Sequence, residues 1–218
     1  MIETLILGAP GLPCMIPFRD VIPSRIAPIV TVGLIAWHTA VFLLVPAAFS
    51  WPGPAQSFLL HDGWIHLISN LWALWLFGDN VESRLGHWRY LALYCLTAAA
   101  AALAQVWAPA GSSPAVMGQV GGPDGAIAGI IGAYMLLYPG SRILVLIPRF
   151  LSIDVVEVPA VAFAGIWFAT QLLLTLGRLG DPAAGGGAIF LACAGGFVAG
   201  MGLVWVLSRG RREKRWWD

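Results

Sequence analysis

The sequence predicts an all-α polytopic membrane protein, and three observations lead to that prediction. Of its 218 residues, 59% are hydrophobic and 11% are charged, and the mean hydropathy is +0.80. Soluble domains carry about 25% charged residues, so this composition is typical of a membrane protein. The apolar residues form six runs separated by Gly, Pro and charged residues, which matches the about 20 residues that each span needs. Finally, eleven of the twelve Lys and Arg residues fall on one side of the resulting topology.

Six helices are predicted in order along the chain. They cover approximately residues 28–48, 64–78, 88–108, 125–139, 159–176 and 187–207. Because cytoplasmic segments carry the excess of Lys and Arg, both termini are expected in the cytoplasm. The predicted organisation is therefore a cytoplasmic N-terminal segment over 1–27, a six-helix membrane domain over 28–207, and a basic cytoplasmic tail over 208–218.

The distribution of charge and cysteine limits the kinds of partner and the covalent links that we expect. The basic residues form no stripe beside stacking aromatics, which argues against nucleic acid. The tail "RGRREKRWWD" is typical of a segment that contacts the lipid bilayer, with its tryptophans in the headgroup zone. The three cysteines, Cys14, Cys95 and Cys193, lie far apart and predict no disulfide framework. The sequence indicates no cofactor.

Predicted helices 2 and 4 are short, at about 14 residues or about 21 Å each. Both begin on the extracytoplasmic side, after loops rich in Pro, Gly and Ser. Irregular backbone at membrane depth is tolerated where it borders a water-filled cavity. We therefore expect a polar cavity, open outward, with His66, Asn70 and Asp124 near its floor.

His66 and Asn70 are spaced i, i+4, so both side chains leave one face of predicted helix 2. Such a pair can donate hydrogen bonds to a developing oxyanion. It can equally join two membrane helices through polar contacts. The spacing alone leaves both interpretations open.

Glycines at four-residue spacing predict close packing of helices 4 and 6. The residues concerned are Gly125, Gly129, Gly132, Gly196 and Gly200. If these faces meet, Asp124 at the start of helix 4 comes near Cys193 on helix 6. Asp is also a good N-cap residue, so Asp124 is expected to cap helix 4.

Several segments together resemble the rhomboid family of intramembrane serine proteases. They are "PFRD" before helix 1, "HDGWIHLISNLWALWLFGDNVESRLG" around helix 2, "GAIAGIIGAYMLLYP" in helix 4 and "GGFVAG" in helix 6. The resemblance extends from about residue 16 to residue 207. It implies a six-helix bundle in which a serine of a GxSG motif attacks a peptide bond, a histidine of AHxxGF acts as base, and His66 and Asn70 hold the oxyanion.

The chain departs from that pattern at both reactive positions. The GxSG position reads "GPDG", with Asp124 in place of the serine, and the AHxxGF position reads "ACAGGF", with Cys193 in place of the histidine. Nucleophilic catalysis needs an activated nucleophile and a base within hydrogen-bond reach. The leading hypothesis is therefore a catalytically inactive rhomboid-like protein that binds transmembrane segments of client proteins.

Other functions remain open on the sequence. An atypical intramembrane protease would use Cys193 with His66 as base, Ser112 or Ser113 of the loop before helix 4, or a pair of carboxylates. A metal-binding protein is a further alternative. Its candidate ligands are His61, His66, Asp124 and Cys193. A proton-relay or transport protein is another, because ionisable groups lie within the membrane.

The excess of Arg over Lys, eleven to one, is typical of a GC-rich bacterial source. We therefore expect the bacterial plasma membrane as the location of the protein.

Overall fold

A computed structural model describes residues 16–45, 63–106, 122–149, 152–166 and 186–209. The elements in chain order are β1 (Ile16–Asp20), α1 (Ile29–Leu44), α2 (Trp64–Leu85), α3 (His87–Val106), α4 (Gly122–Leu137), β2 (Arg142–Arg149), β3 (Ser152–Pro159), α5 (160–166) and α6 (Gly186–Leu207). The described part of the chain is mostly helical, as predicted.

Helix α2 is longer than predicted. It continues past Gly78 to Leu85, which makes it 22 residues or about 33 Å long, so the prediction of a short second helix was wrong. A Cβ at position 78 would lie 2.5 Å from the hydroxyl of Tyr90, so this glycine provides space for a neighbouring helix instead of ending its own. The helix ends at Gly86, whose φ of 79° lies in the region that glycine favours. Helix α4, by contrast, has 16 residues.

The three strands contradict the all-α part of the fold prediction. They form an antiparallel sheet in the order β1-β2-β3, with Ile143 of β2 opposite both Asp20 and Val158. In β2, buried Ile143 and Val145 alternate with exposed or half-buried neighbours, which is the period-2 pattern of a half-buried strand. The β-branched residues of "RILVLIPR" and "SIDVVEVP" carried this signal, but both segments fall in the stretch between predicted helices 4 and 5.

Helix α4 lies at the centre of the described helices, since every residue from 125 to 134 is buried. It packs most extensively against α6 and also contacts α2 and α3. Glycines bring the backbones of α4 and α6 into contact. A Cβ on Gly196 would collide with the carbonyl oxygen of Gly125, and a Cβ on Gly200 would collide with that of Gly129. The absence of side chains at these positions therefore permits backbone-to-backbone contact.

Large apolar side chains point outward from the helices, as expected of a protein surrounded by lipid. Examples are Trp37, Leu44, Leu103 and Val198. Within the described segments, one helical stretch, Phe190–Leu207, has the length and hydropathy to cross a bilayer by itself. Helix α1 and residues Pro123–Leu137 are apolar but shorter. The count of six spans and the side on which the termini lie therefore remain predictions.

Two buried carboxylates join the elements at one end of the bundle. Glu82, near the end of α2, accepts hydrogen bonds from the backbone N–H groups of Val30 and Thr31 at the start of α1. Asp20, at the end of β1, accepts hydrogen bonds from Asn80 on α2 and from the Tyr134 hydroxyl on α4. The sheet, the start of α1 and the ends of α2 and α4 therefore meet at this end.

Candidate functional site

The opposite end of the bundle brings together the three polar residues expected in the cavity. His66 and Asn70 lie one turn apart near the start of α2, and Asp124 lies in the first turn of α4. His66 Nε2 is 2.8 Å from Asp124 Oδ1, and Asn70 Nδ2 donates a 2.6 Å hydrogen bond to the same oxygen. Two polar side chains of one helix therefore converge on a single carboxylate oxygen of another.

The site is partly open. The His66 side chain is 30% exposed and the Asp124 side chain is 19% exposed. When Asp124 is ionised, its oxygens can only accept hydrogen bonds, and His66 then bonds with it only in a form that carries a proton on Nε2. The side chains of the site are thus accessible in part from outside, and the amide of Asn70 donates from α2 to α4.

Asp124 is not the N-cap residue that the sequence predicted. Helix α4 begins at Gly122, so Asp124 lies inside the first turn, directly after Pro123, a residue that is well tolerated there. A negative charge in this position still interacts favourably with the N-terminal end of the helix dipole. One of its oxygens, however, contacts α2. From the sequence, these residues are expected near one cavity floor, but the hydrogen bonds between them are not predicted.

Cys193 lies on α6 with no exposed surface and belongs to the hydrophobic core. Its neighbour Ala192 is equally buried, and the Ala192 carbonyl oxygen would lie 3.0 Å from a Cβ on Gly125. Cys193 therefore sits where α6 presses against the first turn of α4. A thiol enclosed in this way is a packing group to which neither water nor a peptide has access.

The candidate metal ligands do not form a cluster within the described residues, where no three His, Cys, Asp or Glu side chains come together in a suitable arrangement. His61, Ser112 and Ser113 lie outside the described residues. The two alternatives that need them, a metal site with His61 and a loop serine nucleophile, are not described by this structure.

Sequence reasoning also missed a buried polar pair between α1 and α3. His38 on α1 and Tyr94 on α3 are 2% and 8% exposed, and His38 Nε2 lies 2.7 Å from the Tyr94 hydroxyl. The signal was present, since a histidine inside a predicted membrane helix is itself a candidate for a polar contact. The pair links α1 to α3 within the bundle.

Chemically, the site can hold an oxygen acceptor between an imidazole and an amide. It cannot supply the usual serine nucleophile, because the residue presented to His66 and Asn70 is a carboxylate. A carboxylate attacks an amide poorly, and Cys193 offers no imidazole from α6.

Comparison with known proteins identifies the family. A family model described as the Rhomboid domain matches residues 48–210, three quarters of the chain. A curated relative, "Rhomboid protein 1, mitochondrial" of Saccharomyces cerevisiae, is 28% identical over 155 residues, which are 71% of this chain and 41% of the relative. The chain thus spans less than half the length of that relative. No solved structure gives a significant match. The extent of the domain match, together with the resemblance in helices 2, 4 and 6, shows that the chain belongs to the rhomboid family of integral membrane proteins.

Proposed function

We propose that the protein is a rhomboid-family membrane protein without serine protease activity, and that it binds transmembrane segments of client proteins. One observation carries this proposal. The residue at the nucleophile position, Asp124, is a carboxylate whose Oδ1 already accepts a hydrogen bond from Asn70 and lies 2.8 Å from His66 Nε2.

The loss of activity follows from what catalysis would require at these positions. A serine protease of this family needs a hydroxyl on α4 and an imidazole on α6 within hydrogen-bond reach of each other. This chain has Asp124 and the fully buried Cys193 instead. In addition, the two donors that would stabilise the oxyanion are engaged by Asp124, so the charge developing on a substrate would meet a negative group in place of donors.

Client binding is supported by what the chain keeps. The bundle has a partly exposed polar site between α2 and α4, and the family to which it belongs acts on transmembrane segments within the bilayer. It also keeps broad apolar surfaces on its outer helices. The identity of the membrane is a separate prediction. The arginine excess favours the bacterial plasma membrane, whereas the relative from Saccharomyces cerevisiae is a mitochondrial protein.

The decisive experiment restores the family residues. Purified parent protein and the double variant Asp124→Ser plus Cys193→His are reconstituted with transmembrane substrates whose helices contain destabilising residues. We expect cleavage by the double variant and none by the parent, because only the variant has a hydroxyl, a base and unoccupied oxyanion donors. Each single substitution is the matched control and is expected to give no cleavage.

Two outcomes would contradict the proposal. Cleavage by the parent that disappears in Asp124→Ala or Cys193→Ala would show an atypical but active protease. The binding half is tested separately, by energy transfer between the labelled parent protein and labelled transmembrane peptides in vesicles. Transfer no greater than that with an unrelated membrane protein of similar size would contradict client binding.

A further inference from the structure

We propose that the outer edge of β3, the side that faces away from β2, binds the cytoplasmic flank of a client's transmembrane segment as an added β-strand. The flank that fits this edge is an extended stretch in which Lys or Arg alternates with apolar residues. This inference rests on the proposed function, because it names the part of a client that a second surface of the protein recognises.

The hydrogen-bond pattern of the sheet places alternate backbone groups of β3 on its outer edge. Ala160 N donates a 2.9 Å hydrogen bond to the Ser141 carbonyl, and the register of β2 with β3 continues from there without a shift. Because hydrogen-bonded and non-hydrogen-bonded pairs alternate along an antiparallel ladder, the even-numbered residues of β3 bond to β2. The N–H and carbonyl groups of Val155 and Glu157 therefore point away from β2.

In the part of the chain that the structure describes, no further strand pairs with these groups. The sheet has the order β1-β2-β3, so β3 is its last strand. Val155 is 59% exposed, and the Glu157 side chain is 48% exposed. Pro159 has no N–H group, so the outer edge offers its donors before the end of the strand. An edge of this kind is a template for an extended peptide, which pairs through its own backbone.

The charges of β3 select the kind of peptide. The strand carries Asp154 and Glu157 and no basic residue. Arg142 of β2 pairs with Glu157, so the negative side chains still outnumber the positive one. Opposite charges on neighbouring strands stabilise their pairing, and like charges oppose it. The outer edge therefore favours a basic strand over an acidic one.

A basic strand is what a membrane-spanning client presents at this end of the bundle. The excess of Lys and Arg predicts that the end of the bundle with the sheet faces the cytoplasm. The same rule gives clients an excess of Lys and Arg in their own cytoplasmic flanks. Strand β3 also runs directly into α5, where Ala160 belongs to the buried core. The outer edge therefore lies beside a helix of the bundle, where the flank of a bound transmembrane segment would emerge.

The test uses a fluorescently labelled peptide in which lysine alternates with valine, and the full-length protein reconstituted in vesicles of zwitterionic lipid. We expect saturable binding by fluorescence anisotropy, and we expect the affinity to fall as the salt concentration rises. A peptide with glutamate in place of lysine tests the charge, and a lysine peptide that is N-methylated throughout tests the backbone hydrogen bonds. Both are expected to bind at least about tenfold more weakly.

Matched variants test whether the peptide binds at β3. Val155→Pro removes an outward N–H group and no hydrogen bond to β2, and proline is tolerated at such edge positions. It is expected to lower the affinity at least about tenfold, whereas Val155→Thr keeps the N–H group and is expected to bind as the parent does. Asp154→Asn plus Glu157→Gln is expected to reduce both the affinity and its salt dependence. Equal binding by Val155→Pro and the parent, or equal affinity for the lysine and glutamate peptides, would overturn the inference.

Amide hydrogen exchange provides a second readout on the parent protein alone, so it does not depend on how a variant folds. The lysine peptide is expected to slow exchange within Ser152–Pro159. Unchanged exchange there at saturating peptide would overturn the inference. Slower exchange at higher protein concentration without peptide would also overturn it, since the edge would then bind a second copy of the chain.

The two proposals can fail separately, because neither readout involves a transmembrane segment. If the lysine peptide does not bind while labelled transmembrane peptides do, the inference about β3 is wrong and the proposed function stands. Cleavage of transmembrane substrates by the parent would refute the proposed function and would not change the result with the lysine peptide.

Discussion

At the scale of single residues, two carboxylates at opposite ends of the bundle each connect two helices. Asp124 lies in the first turn of its own helix, and Glu82 contacts the first turn of a neighbouring helix. Asp124 belongs to the first turn of α4 and binds the donors of α2. Glu82 belongs to α2 and binds N–H groups in the first turn of α1. The N-cap residue of α1, Pro28, makes no side-chain hydrogen bond to these groups. Each carboxylate therefore joins two helices, Glu82 through the backbone N–H groups at the start of α1 and Asp124 through side chains of α2.

Glu82→Gln tests the second of these contacts. The Glu82 carboxylate has no exposed surface and also accepts a hydrogen bond from the Thr31 hydroxyl, while His87 Nδ1 lies 2.6 Å away. Replacing one oxygen by an NH2 group sets a donor against donors. We expect the free energy of unfolding to fall by about 3 kcal/mol, measured by SDS titration in mixed micelles.

Glu157→Gln is the matched control for that substitution. Glu157 pairs with Arg142 on the sheet at 2.9 Å, but their side chains are 48% and 63% exposed. Exposed ion pairs contribute little, so the change is expected to stay within about 0.5 kcal/mol. Equal effects at the two positions would contradict the capping role of Glu82.

At the scale of elements, α4 and α6 contact each other through their backbones at glycine positions. Gly132 on α4 and Gly196 and Gly200 on α6 place backbone against backbone, and a Cβ on Gly129 would collide with Thr97 of α3. Residues 125 to 134 of α4 are all buried, so its glycines provide space for both α6 and α3. The position of Asp124 relative to α2 depends on this packing.

Gly196→Ala tests the contact directly. Its new methyl group would collide with the carbonyl oxygen of Gly125, so the helices must separate. We expect a loss of about 1–3 kcal/mol in the free energy of unfolding, again by SDS titration. We also expect altered His66 chemical shifts, because α4 carries Asp124.

Gly202→Ala on the same helix is the control. A Cβ at position 202 would meet no heavy atom within 4 Å, and alanine favours the helix over glycine by up to about 1 kcal/mol. This variant is expected to be as stable as the parent or slightly more stable. Destabilisation of both variants by the same amount would indicate that helix flexibility and not close packing explains the glycines.

At the scale of the whole molecule, both ends of the described chain lie at the same end of the bundle. Asp20 of β1 is bonded to Asn80 of α2, and Arg89 at the start of α3 donates a 3.0 Å hydrogen bond to the carbonyl of Leu207 at the end of α6. Helices α2 and α3 are joined at this end through Gly86. The candidate site lies at the opposite end.

Both termini are therefore expected on the same side of the membrane. Since Lys and Arg accumulate in cytoplasmic segments, that side should be the cytoplasm, where reporters fused before residue 1 and after residue 218 are expected. Alkaline phosphatase, which needs export, is expected to be inactive at both termini, and a fluorescent protein is expected to be fluorescent at both. Phosphatase activity at one terminus alone would mean an odd number of spans.

Much of the fold could be inferred from residue patterns that act locally. Apolar runs predicted the helices, because the residues that a helix buries recur at a regular spacing along the sequence. Motif resemblance predicted the family. The length of α2 and the three-stranded sheet were missed for a common reason. Both depend on contacts between residues that are distant in the sequence. Gly78 makes room for Tyr90 of another helix, and β2 pairs with β1, where Ile16 lies opposite Leu146.

The sequence by itself determined the membrane class, the rhomboid membership and the presence of Asp124 and Cys193 at the positions where the resemblance expects a serine and a histidine. Tertiary structure alone decided what those replacements do. It buried Cys193 completely and brought Asp124 Oδ1 within hydrogen-bond distance of His66 and Asn70. The sequence specifies which residue occupies each position. A hydrogen bond between residues 54 or 58 positions apart forms only when packed helices bring their atoms together.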